Sequence, residues 1–184
     1  MGSKAKEEAT RSLIRREASD ILLIQETKME DNEFLQASKK LWKGSRGQEV
    51  SARGAFGGLG SLWNPLKYRL VSEIQNTHWL FLKLQPVDSR ETLCLFNVYV
   101  PVNIGEKREC WDSIRHLLES ENLENIIIAG DLNLTLRMEE KKGGTIVRDP
   151  AREWVEDLMQ DWITTLIGDD YLYSVATRGT YYPK

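Results

Sequence analysis

Between residues 49 and 100 the chain presents five strand-like runs in succession, and several are too apolar to leave one face of a sheet wet. They read "EVSAR", "GGLGSLW", "YRLVSEI", "WLFLKLQ" and "TLCLFNVYV", separated by turn-forming pairs such as Asn64-Pro65 and Asp88-Ser89. A half-wet strand alternates apolar and polar residues, and these hardly do. Such strands bury both faces, which predicts sheet packed on sheet. Helical patterns flank the run. Residues 4–18 place Ala5, Ala9 and Leu13 four apart, and residues 31–42 place Phe34, Leu35, Ser38 and Leu41 on one side behind an Asp or Asn cap. Residues 106–122 carry an inner stripe of Cys110, Ile114, Leu117 and Leu118. After a polar loop over 137–148, Asp149-Pro150 opens a helix predicted to bury Trp154, Val155, Leu158, Met159 and Trp162. Two apolar strands, "ILLIQ" at 21–25 and "IIIAG" at 126–130, stand between helices. Two sheets covered by outer helices is the simplest α+β arrangement of these parts.

The chain has 184 residues, enough for one domain with one sizeable core. Its net charge of −3 supplies no global positive field, which argues against a purely electrostatic binder of nucleic acid. Phosphate would have to be met locally, through a metal. Cys94 and Cys110 lack metal-ligand spacing and read as buried thiols of a reduced compartment. No run approaches membrane-spanning length and the charged start lacks a signal core, so an intracellular chain without a membrane partner is expected.

Three strands end in polar residues where apolar ones would continue them. "ILLIQETK" delivers Gln25, Glu26 and Lys28; "LFNVYVP" delivers Asn97 and Tyr99; "IIIAGDLN" delivers Asp131 and Asn133. Strand residues two apart face the same way, so Asp131 and Asn133 can point together from a rigid base. Singly, each has a bland reading: Glu26 as a turn cap, Tyr99 as a core aromatic, Asn97 as a structural residue, Asp131 with Asn133 as a turn.

Jointly, "QETK", "NVYVP" and "GDLN", in this order, resemble the motifs of the endonuclease/exonuclease/phosphatase superfamily. "GAFGGLGSLWNP" resembles that family's strand between the first two motifs, its glycines read as strand packing. The likeness covers about residues 10–165. It implies a four-layered αββα sandwich, the DNase I-like fold, and cleavage of phosphoesters with Mg2+ or Mn2+. Glu26 would then be the metal ligand, and Asp131 would orient and deprotonate the attacking water. Asn133 would position that water or a phosphate oxygen, and Tyr99 would donate to the scissile phosphate. Lys28 and Asn97 would be substrate-binding residues, Lys28 holding Glu26 or the phosphate in place. Lys28 after Glu-Thr resembles the branch of apurinic-type endonucleases and of LINE-type retrotransposon endonuclease domains. "RSLIRREASDILLIQETKM" and the "LWNP" turn look most like plant copies of the latter. DNA as partner and a nuclear location follow from the resemblance alone.

The family pattern also has a first strand carrying an Asn and a closing Ser-Asp-His motif, and neither occurs in this sequence. The expectation is therefore a single domain over 1–184 that is incomplete at both ends, with open sheet edges inviting self-association. His78 and His116 read as structural. Three functions compete: a Mg-dependent DNA endonuclease, a catalytically silent remnant that binds nucleic acid or another chain, and a phosphatase of the same superfamily.

Overall fold

Ile21–Gln25 (β1) is buried along its whole length, since each of its faces meets a different layer. Leu22 and Ile24 point into a cluster with Ile14, Phe34, Leu41 and Leu62, so that face is covered by helices Lys4–Arg16 (α1) and Glu33–Leu41 (α2). Ile21 and Leu23 point the other way, toward Leu80, Leu82, Leu84 and Leu95 of a second sheet. Each buried Leu or Ile of this kind contributes about 1.5–3 kcal/mol.

The computed structural model describes residues 4–53, 57–121, 123–133, 151–161, 165–168 and 172–175. The first sheet is antiparallel. It sets Arg46–Val50 (β2) beside Leu59–Trp63 (β3), then β1, then Leu172–Val175 (β9). The second sheet is mixed. It orders Tyr68–Gln75 (β4), Trp79–Pro86 (β5), Leu93–Tyr99 (β6), Ile126–Asp131 (β7) and Thr165–Gly168 (β8), with β6, β7 and β8 mutually parallel. Parallel strands need a crossover, and helix Ile104–Ser120 (α3) provides it between β6 and β7. Its stripe of Cys110, Trp111, Ile114 and Leu118 buries against Phe96, Val98, Ile126 and Ile128, together with Val155 and Leu158 of helix Ala151–Asp161 (α4). The Trp79 indole donates to Ser113 Oγ at 2.8 Å and fixes the helix's rotation on the sheet. Helices thus cover the outer face of each sheet, as the apolar runs required.

Boundaries differ from expectation where side chains from afar set them. The strand foreseen at "EVSAR" occupies Arg46–Val50, because the pairing with β3 ends at Val50–Leu59 and the Ala52 N–H turns away to Met29 O. The helix foreseen from residue 31 begins at Glu33. Asn32 precedes it in the left-handed region (φ 62°) and makes no side-chain cap; Glu49 of β2 accepts from the Asn32 and Leu35 N–H groups instead. The next helix starts at Ile104, with Asn103 accepting from Gly105 and Glu106. Trp154 is only half-buried, and the 137–148 loop, the Asp149-Pro150 cap, the Met159 side chain and Trp162 lie outside the described residues.

Candidate active site

Gly130 explains how β7 can be apolar and still deliver polar residues. Its φ is 143°, and a Cβ there would run into the Val98 carbonyl of β6, so only glycine fits. The approach keeps β7 in register with β6 to its last residue, where Asp131 pairs with Tyr99. The Val100 N–H then donates to Asp131 O at 2.8 Å. Asn133 bends back at φ 44°. Its N–H donates to Asp131 Oδ1 at 3.0 Å and its Nδ2 to Val100 O at 2.7 Å. The turn reading and the chemical reading of "GDLN" are both satisfied, since the turn is what holds the carboxylate and amide together.

From the opposite sheet, Glu26 meets this strand end. The Tyr99 hydroxyl donates to Glu26 Oε1 at 2.5 Å, and Lys28 Nζ lies 3.6 Å from Glu26 Oε2. Glu26 and Lys28 hold left-handed backbones (φ 49° and 54°), which cost non-glycine residues about 1–3 kcal/mol each. Two bonds oppose that strain: Thr27 N–H to Gly58 O and Lys28 N–H to Gly57 O, both 3.1 Å. Gly58 is needed for that approach, because a Cβ would strike the Thr27 hydroxyl. Gly60 packs under the Phe34 ring, where a Cβ would also clash, so Gly58 and Gly60 serve close packing, while Gly57 has open space beside it.

Asn97 departs from its expected place. It is completely buried between the sheets, and every polar group of its amide is used. Nδ2 donates to Gly60 O (3.0 Å), Ser61 Oγ (3.2 Å) and Ile24 O (3.3 Å), while Oδ1 accepts from Gln25 Nε2 (2.5 Å). A group so enclosed and satisfied pins the two sheets together beneath the site.

Two further residues border the site: His78, read from the sequence as structural, and Lys107, which the sequence reading did not single out. His78 immediately precedes β5 and its carbonyl accepts the Tyr99 N–H at 2.8 Å. Burial lowers the imidazole pKa, opposed by Glu106 and by a hydrogen bond to the Tyr99 backbone. Lys107 is buried on α3, with Nζ 2.5 Å from Asn133 O. A lysine on the 107–110–111–114 stripe was the available signal. The cysteines are buried free thiols, and burial pushes the Cys110 pKa up to about 12.

The model of the endonuclease/exonuclease/phosphatase family matches residues 2–183. The chain belongs to that family. A comparison with curated protein sequences finds no match. Among solved structures, the family fold is shared with the AP endonuclease LMAP from Leishmania major (20% identity, TM-score 0.64, 85% of this chain and 61% of that one). It is shared also with the Xenopus laevis APE2 catalytic domain (17%, 0.62, 82% and 64%). D. rerio TDP2 complexed with single-strand DNA product is a third (19%, 0.54, 71% and 54%). The chain therefore spans less than two thirds of the length of each of these structures.

The family typically uses Mg2+. Among the described residues no three His, Cys, Asp or Glu side chains gather in one cluster. Magnesium does not require that. It keeps several waters and is commonly held by one or two carboxylates, and Glu26, at the polar end of the sandwich, is a hard oxygen donor of that kind. The donor set fits the ion. Among the described residues, no helix is long and apolar enough to cross a membrane.

Proposed function

We propose that the chain hydrolyses phosphodiester bonds in DNA, with Mg2+ or Mn2+ held by Glu26. The observation that carries the reading is the Tyr99–Glu26 hydrogen bond, made beside the Asp131–Asn133 turn from the opposite sheet. In this reading Glu26 binds the metal and Asp131 activates the water, with Tyr99 bonded to the first and paired across the sheet with the second.

Asp131 spends one oxygen on the Asn133 N–H, and among the described residues the other has no protein partner. That oxygen accepts the proton of the attacking water. Asn133 gives its amide hydrogen to Val100, which leaves its Oδ1 to orient the same water as an acceptor. Tyr99 fixes the Glu26 carboxylate in the free site, and donates to the scissile phosphate by exchanging Glu26 for a phosphoryl oxygen as charge builds there. Lys28, more than half exposed, is free to swing from Glu26 to a phosphate oxygen. The bound cation would add Lewis-acid stabilisation of the phosphoryl oxygens. "QETK", "LWNP" and the helical lead support a source among LINE-type retrotransposon endonuclease domains.

Nicking of supercoiled plasmid in Mg2+ tests the reading, with Glu26→Gln as the control. Metal-dependent nicking abolished by Glu26→Gln upholds it. A folded chain that does not nick overturns it in favour of a silent member of the family that binds without cutting.

A further inference from the structure

We propose that Lys107 is a positioning residue for the hydrolytic step, acting through Asn133; the proposal rests on the phosphodiesterase reading above. Lys107 occupies the stripe of α3 that otherwise carries Cys110, Trp111, Ile114 and Leu118, and it is 5% exposed. A Met or Leu would fill such a position at no electrostatic cost. Burying an ammonium costs several kcal/mol unless it is well bonded. The location adds to that cost, because the first turns of a helix lie at the positive end of its dipole.

One of the bonds that offset this cost is specific. Nζ donates to the carbonyl of Asn133 at 2.5 Å. Asn133 is then held at three atoms: its O by Lys107, its N–H by Asp131 Oδ1 and its Nδ2 by Val100 O. Three restraints on one residue over-determine its left-handed backbone (φ 44°), which would otherwise relax. The Asn133 N–H that bonds Asp131 and the carbonyl that Lys107 holds lie in the two peptide planes flanking the Asn133 Cα, so fixing the carbonyl restrains the Asn133 torsions and with them the direction of the N–H. The clamp has a firm base, because the Lys107 N–H donates to Asn103 O at 2.8 Å and the Asn103 side chain caps α3. Lys107 thus transmits the position of α3 to the water-activating pair without touching substrate.

The test compares wild type with Lys107→Met, which keeps the volume and removes the donor, and Lys107→Arg, which keeps a cationic donor. Plasmid nicking in Mg2+ is measured as kcat and KM, with melting temperature and the amide resonances of Asn133 recorded on each chain. Lys107→Met is expected to lower kcat roughly tenfold to a hundredfold, to leave KM within about twofold, and to move both Asn133 amide signals. Lys107→Arg is expected to recover much of the loss. Wild-type kcat in Lys107→Met, or unmoved Asn133 signals, overturns the proposal. So does an arginine variant that recovers melting temperature and not kcat. If wild type itself does not nick, the phosphodiesterase reading falls; the clamp is then upheld or overturned by whether the Asn133 signals move.

Discussion

The Tyr99 hydroxyl reaches across from β6 to donate to Glu26 Oε1, at the end of β1 in the other sheet, at 2.5 Å. A charged acceptor makes this a strong hydrogen bond of about 1.5–3 kcal/mol. It joins the two sheets at the point where their polar ends converge, and it sets which way the Glu26 carboxylate faces.

Replacing Tyr99 by Phe keeps the ring and removes that bond. The variant is expected to lose about 1.5–3 kcal/mol in urea unfolding and roughly a hundredfold in Mg2+-dependent nicking. An unchanged nicking rate would remove Tyr99 from the machinery.

Asn97→Ala separates the sheet-pinning role from substrate contact. Truncation leaves the buried Gln25 amide and the Gly60 carbonyl without their partner, at a cost of about 3 kcal/mol or more. A folded variant should show a lowered melting temperature with an unaltered KM for plasmid. A raised KM at full stability would restore Asn97 to the substrate site.

Gly130→Ala is expected to be among the most damaging single changes in the chain. The added methyl meets the Val98 carbonyl while the backbone is held at φ 143°. Loss of about 3 kcal/mol or more, or failure to fold, should be seen in denaturant titration. Alanine tolerated at full stability would mean that β7 can slide away from β6.

His78 should give the fold an acid-side pH dependence. Its pKa is lowered by burial, with Glu106 and Glu109 opposing and Arg53 assisting. The unfolded chain therefore binds the proton more readily than the folded one, and stability is full above about pH 6.5 and declines as pH falls through the folded value. Melting temperature measured from pH 7 down to 5 should fall less steeply in His78→Gln than in wild type. Identical slopes would contradict the assignment.

The legible parts of the chain were those with local causes. The apolar runs foretold two buried sheets, and the polar ends of β1, β6 and β7 are brought to one end of the sandwich, with Glu26, Tyr99, Asp131 and Asn133 in the contacts described. Asn97 misled because an amide near a strand end looks the same in sequence whether it faces water or a second sheet. Its partners lie 36 to 73 residues away. The start of α2 was misplaced for a similar reason, its N–H groups being satisfied by Glu49 and not by the adjacent Asn32. Lys107 stood on the apolar stripe in plain view. Its meaning depends on where the Asn133 carbonyl arrives, and no local pattern encodes that.

Glu26 and Tyr99 are separated by 73 residues, and Asp131 comes later still. During synthesis the Glu26 carboxylate leaves the ribosome long before anything exists for it to face. A chain that stalls or is clipped anywhere ahead of β7 carries one half of the centre without the other. The centre belongs to no single segment of the chain, so it comes into being in one step, when β7 pairs with β6.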